Sequence, residues 1–173
     1  MSQAIICIVP TEIQADRIVV ALRSSGFIGD NISALMPDKR TSKDMGHEKH
    51  SKAPEGTSTG AGAGALVGGA LGLLAGIGVL AIPGAGPFIA AGPIMAALSG
   101  AAIGTSVGGI TGGLIGLGIP EYEAKQYEGK LREGNILLSV HTKTGDEAQC
   151  AESILKANGG HDIKRSVDEK VKA

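Results

Sequence analysis

A chain of 173 residues with 16 Lys and Arg against 17 Asp and Glu has room for one ordinary domain plus an insertion, and its balanced charge gives nucleic acid no electrostatic footing. It holds 28 Gly but no Trp, 2 Phe and 2 Tyr, so close backbone packing must replace the aromatic filling of an ordinary core. Cys7 and Cys150 lack metal or redox spacing and are expected to be two buried thiols in a reducing compartment, while Met1–Ala4 has no basic leader region, so synthesis is expected to begin in the cytoplasm.

Residues 1–37 read as strand, helix, strand. Ala4–Val9 is an apolar run; Thr11 caps a helix with Gln14 closing the box; Ile13, Ile18, Val19 and Leu22 follow helical spacing; Gly26 stops the helix; Ile32–Met36 is the next strand. Residues 38–59 are polar, mixed in charge and linker-like. They include His47 and His50, which are too few ligands for a metal site and are expected to be solvent-exposed.

Between Glu55 and Glu121 there is no Asp, Glu, Lys, Arg or His. A bilayer crossing takes about 20 apolar residues, so residues 60–119 are long enough for a hydrophobic helical hairpin. The expected helices are Gly60–Ile82 and Ile94–Gly118, about 34 and 38 Å long at ~1.5 Å per residue. The expected turn holds Pro83, Gly84, Gly86 and Pro87, with Pro93 shortly after. Gly60, Gly64, Gly68, Gly72 and Gly76 are spaced by four, as are Gly100, Gly104, Gly108, Gly112 and Gly116. In lipid, helices associate through close contact of small residues rather than a hydrophobic drive, so these rows read as a glycine zipper. Two readings stand: the rows pack the two hairpin helices together, or they also join neighbouring copies. The hairpin itself spans the bilayer, embeds in one leaflet, or is buried in a soluble oligomer.

Residues 120–134 read as a short charged helix leaving the membrane, with Glu121–Lys125 and Glu128–Arg132 as i,i+4 pairs. Residues 135–167 repeat the first unit: a strand from Asn135 to Val140, a helix capped by Thr144 and Glu147 with Ala148, Ala151, Ile154 and Leu155 inward, a stop at Asn158-Gly159, and a strand from His161 to Val167. His141 and His161 fall at strand ends and read as structural; residues 168–173 form a tail. Two such units imply an α+β, ferredoxin-like βαββαβ domain, its four-stranded antiparallel sheet covered on one face by two helices and split by the inserted hairpin. Strings such as Gly60-Ala61-Gly62-Ala63-Gly64 lack the flanking elements of a nucleotide fingerprint, and no catalytic constellation is spaced for chemistry. The sequence therefore points to no cofactor, no small-molecule substrate and no enzyme.

The segments His47–Gly56, Ala81–Pro93 and Gly118–Lys125 together resemble a family of small bacterial proteins with a ferredoxin-like domain and a central glycine zipper, labelled general stress or low-temperature-induced proteins. The resemblance covers nearly the whole chain. The uncharged stretch and the glycine rows give the expectation of a membrane-associated, self-assembling structural or stress-protective protein, its hairpin in the inner membrane and its α+β domain on the cytoplasmic side, with lipid and further copies of itself as partners. Some members are likened to the small two-helix membrane subunit of a quinol:electron acceptor oxidoreductase, which gives the alternative of an accessory respiratory subunit.

Overall fold

The computed structural model describes residues 3–37, 78–82, 86–94 and 109–167. In chain order they form β1 (Gln3–Val9), α1 (Glu12–Ser24), a 3-10 turn (Gly29–Asn31), β2 (Ile32–Pro37), β3 (Gly78–Ile82), β4 (Gly86–Ala91), α2 (Gly109–Gly116), α3 (Glu121–Arg132), β5 (Ile136–Thr142), α4 (Gly145–Ala157) and β6 (His161–Val167). The class is α+β. All six strands lie in one sheet, in the order β3-β4-β2-β5-β1-β6, and every neighbouring pair is antiparallel.

Local chemistry sets the flanking elements. The Thr11 hydroxyl accepts the Gln14 N–H at 3.3 Å, and Thr144 accepts the Glu147 N–H at 3.2 Å, each relieving an unpaired donor of a first helical turn. The second box is shifted by one residue, because the Glu147 carboxylate accepts from the Lys143 N–H at 2.7 Å. After α1 the chain turns at Gly26, with φ +96°, while Phe27 N–H returns to Leu22 C=O at 3.1 Å and the Phe27 ring is buried. The inward stripe of α1 is Ala15, Ile18, Val19 and Leu22; Ile13, expected to belong to it, is 68% exposed.

The sheet carries two cores. On one face Ile5, Cys7, Ala34, Met36, Leu138 and Val140 pack against α1 and α4. On the other Ile6, Ile8, Leu35 and Leu137 pack against Ile94, α2 and α3. This is why β1, β2 and β5 read as continuous apolar runs: strands buried on both faces have no polar side to alternate with.

The described parts of the insert correct the expected hairpin. Gly78–Ile82, expected as the end of the first long helix, and Gly86–Ala91, placed within the expected helical turn, are instead β3 and β4, a β-hairpin added to the edge of β2. Apolar runs of five or six residues fit a strand as well as a helix, and Val79, Ile82, Phe88 and Ile89 carry β-branched or aromatic side chains that favour the strand. Of the expected turn residues, Gly86 and Pro87 therefore lie in β4, Pro93 follows it, and Pro83 and Gly84 fall outside the described residues. The expected helix Ile94–Gly118 is interrupted at Gly109, whose φ of +81° no α-helix interior accommodates. Its described remainder, α2, is eight residues long. No helix among the described residues is long and apolar enough to cross a membrane.

One close approach lets the insert return across the sheet. After β4 the chain bends at Gly92 (φ +76°), and a Cβ there would lie 2.2 Å from the Ile32 carbonyl oxygen. The Ile94 N–H then donates to the buried Ser33 hydroxyl at 3.3 Å. Burying a large apolar side chain stabilises by about 1.5 to 3 kcal/mol, so Phe88, Ile94, Ile110 and Leu114 together contribute roughly 6 to 12 kcal/mol, comparable to the net stability of a domain. The ends of the insert are thus integral to the core.

Gly92→Ala is expected to lower unfolding free energy by about 2 to 4 kcal/mol in urea titration, since it adds steric overlap to a left-handed backbone. Gly26→Ala, with the same backbone demand but open space around its Cβ, should lose only about 1 to 2 kcal/mol. Equal losses at the two positions would contradict the close approach at Gly92.

Candidate functional site

Helix α3 is where flank and insert meet. Ala124, Tyr127 and Leu131 lie on one stripe and are buried against the sheet, while its charged residues lie off that stripe. The expected Glu128–Arg132 pair forms, with Arg132 donating to Glu128 Oε1 at 2.7 and 3.1 Å. The other carboxylate oxygen reaches across to α2, accepting the Thr111 N–H at 3.2 Å and the Thr111 hydroxyl. A carboxylate on one helix thereby satisfies an unpaired amide in the first turn of another, where the helix dipole also favours negative charge. Burial works against the ionised form, but the hydrogen bonds of Thr111 and Arg132 outweigh it and hold the Glu128 carboxyl below its ordinary value.

A second junction lies at the other edge. Between Ile6↔Lys164 and Ile8↔His161 the register of β1 and β6 slips by one residue, and Asp162 sits there with φ 52°. The Tyr127 hydroxyl donates to the Asp162 carbonyl at 2.8 Å, and Lys130 pairs with the Asp162 carboxylate. Burial, then the Glu123 and Asp162 carboxylates, push the Tyr127 phenol up, so it stays a donor. Beside this bulge is a cleft of about 430 Å³ lined by Ile8, Pro10, Lys130, Glu133, Asn135, His161 and Asp162. Lys130 is engaged by Asp162, and no group of three or more His, Cys, Asp or Glu among the described residues is placed to hold a metal. Sequence reasoning missed this cleft, because its lining comes from β1, α3, β6 and the residues beside them, and no local motif joins them.

Two of the expected packing residues fall among the described residues. Gly60, Gly64, Gly68, Gly72, Gly76, Gly100, Gly104 and Gly108 lie outside the described residues, as do His47 and His50. Gly112 and Gly116 are on α2, whose buried side is Ile110, Thr111, Gly113 and Leu114. Gly112 is half-buried and Gly116 exposed, and a side chain at Gly116 would meet nothing within 4 Å. The glycine that faces the core is therefore Gly113, outside both expected rows. The two thiols also differ. Cys7 is buried, and burial pushes it up to about 12 against the opposing hydrogen bond of the Leu138 backbone, whereas Cys150 is exposed on α4, off the stripe of Ala148, Ala151 and Leu155.

Compared with family models, with curated proteins and with solved structures, the chain matches none.

Two outcomes are expected. With a thiol reagent at mildly alkaline pH, one cysteine, Cys150, reacts at once, and Cys7 reacts more than roughly a hundredfold slower until the protein unfolds, since only thiolate attacks; rapid reaction of both would contradict the burial of Cys7. Glu128→Gln should destabilise by about 1 kcal/mol at neutral pH. Because the folded carboxyl titrates below 4.5, its contribution is complete above that value and is lost as pH falls through the folded value. The gap between wild type and Glu128→Gln in urea titrations should therefore close at acid pH; a constant gap would show that charge is not its source.

Proposed function

We propose that this protein is a non-enzymatic, self-assembling structural protein whose charge-free segment, apart from the residues packed in the domain's core, lies against one leaflet of the bacterial inner membrane while its α+β domain stays on the cytoplasmic side. The observation that carries the reading is the run from Gly56 to Pro120 without a single charged residue or histidine, in a chain that is otherwise densely charged. Such a run has no polar face to give to water.

Association with one leaflet is favoured over spanning by the anchoring of the insert. Pro37 and Gly78, which bracket residues 38–77, both belong to the sheet, and Ile94 and Ile110, which bracket residues 95–109, share one core. Each of these stretches therefore begins and ends at the domain. The uncharged run from Gly56 to Ile77 is about one crossing long, whereas leaving and returning across a bilayer takes two.

The α+β domain itself is read as ferredoxin-like. The strands contributed by the two flanks stand in the order β2-β5-β1-β6, with α1 and α4 on one face, as two interleaved βαβ units require. The same reading keeps the resemblance to glycine-zipper stress proteins. A soluble oligomer is the second reading, favoured by one observation: Phe88, Ile94, Ile110 and Leu114 are buried in the domain's own core rather than left for lipid.

Flotation of the purified full chain with vesicles of phosphatidylethanolamine and phosphatidylglycerol tests the proposal. The protein is expected to rise with the vesicles and to remain on them through a high-salt wash, since apolar insertion, unlike surface charge, is not screened. Light scattering in detergent should give a mass above that of one chain. A protein that stays at the bottom of the gradient as a soluble multimer would replace the membrane reading with the second one.

A further inference from the structure

The two strand–helix–strand units set α1 and α4 side by side on one face of the sheet, and the two helices differ on the side they turn to water. On α4 no large apolar residue is exposed; its outward positions are polar or small. On α1 Ile13 and Val20 are 68% and 50% exposed, and Ile28, just beyond the helix, is exposed as well. At about 100° per residue Ile13 and Val20 fall within about 20° of each other, two turns apart, on the side of α1 opposite the buried Leu22. An aliphatic line of this kind, outside the chain's own core, is what an amphipathic helix presents to a partner. Charges mark its two ends. Glu12 stands in the first turn and Arg23 in the last, both exposed, and their spacing of eleven residues puts them on the same flank of the line.

We infer that α1 is the surface through which two copies of this chain join, the two helices lying antiparallel about a two-fold axis midway along α1. A second copy is the occupant the charges select. Antiparallel pairing sets Ile13 of each copy against Val20 of the other and Glu12 of each against Arg23 of the other, so every contact is made twice, and the helix dipoles oppose as well. Arg17, on the other flank, is exposed and long enough to carry its charge out to water. The symmetry also suits two copies on one leaflet. Helix α1 is the crossover between β1 and β2, which run parallel with β5 between them, so it lies back along the strands. A two-fold axis lying in the interface at right angles to α1 then runs across the strands, and the β3 ends of both sheets point to the same side. The inference rests on the self-assembly proposed above and names its interface.

Charge reversal in the full chain tests it, with dimerisation followed by sedimentation velocity in one fixed detergent. Glu12→Arg and Arg23→Glu, made singly, each oppose two pairs of like charges and should weaken dimerisation at least about tenfold. The double variant, Glu12→Arg with Arg23→Glu, re-forms both pairs and should return to within about threefold of wild type. Because reversal at helix ends also opposes the dipole and can disturb folding, an uncharged variant is the companion measurement. Val20→Gln alters a side chain outside the core, so it should keep the native circular dichroism spectrum and still weaken dimerisation at least about tenfold. Ser153→Gln, at an exposed position of α4, should change dimerisation less than about twofold. A dimer undisturbed by Val20→Gln would overturn the inference, and so would folded single reversals that the folded double variant fails to rescue, although self-assembly itself would then stand. A monomer at every concentration would remove both.

Discussion

The structure depends on covering the second face of its central sheet. Ile6, Ile8, Leu35 and Leu137 lie on that face, and two helices of the flanks, α1 and α4, already occupy the opposite one. A half-covered sheet would leave these side chains in water, so the chain between β2 and β5 has to return and bury them. It does so with residues from three places: Phe88 and Ile94 from the end of the hairpin, Ile110 and Leu114 from α2, and Ala124, Tyr127 and Leu131 from α3. A segment that looks in sequence like an appendage to a finished domain supplies much of the cover of that second face.

Getting the chain there needs room as well as apolar residues. Ser33 and Ser139 stand opposite each other on this face, both fully buried, and their small side chains leave the height at which the backbone after β4 can cross. Ser33 also gives the crossing chain a polar contact through the Ile94 N–H, and Gly92 brings backbone against backbone. Farther along, the Ser166 hydroxyl donates to the Gly118 carbonyl at 2.7 Å, tying the turn between α2 and α3 to β6. Polar groups buried on an apolar face would be costly if left without partners; here Ser33 and Ser166 fix the path of the insert.

What was legible in the sequence was local. Thr11 and Thr144 announce helix starts and Gly26 and Gly159 helix ends through chemistry confined to a few neighbouring residues, and the two flanking strand–helix–strand units follow from them. What was not legible depends on contacts distant in sequence. Gly78–Ile82 is apolar enough for a helix and becomes a strand because β4, itself paired with β2, offers it a ladder. Ile13 has helical spacing but lies on the rim, whereas Ala15 takes the inward position. Glu128 shows its i,i+4 partner in the sequence and hides Thr111, seventeen residues away. The cleft beside Asp162 gathers residues from three elements and the turns beside them, and leaves no trace in any one of them.

The glycines are the clearest case of a pattern whose meaning is set by the fold. Spacing by four places Gly112 and Gly116 on one side of α2, and spacing alone says that this side is the one that packs. In the structure the side that packs within the domain is that of Ile110, Gly113 and Leu114, while Gly116 looks outward. At the described end of the second row Gly116 is thus turned away from that core, while Gly112 is half-buried. The outer side of β3 lies at the far end of the sheet, where no described strand pairs with it. Because β3 and β4 continue the sheet that β1, β2, β5 and β6 form, and α2 shares a core with β1 and β5, a contact at either place is coupled to the whole domain rather than to a detachable arm.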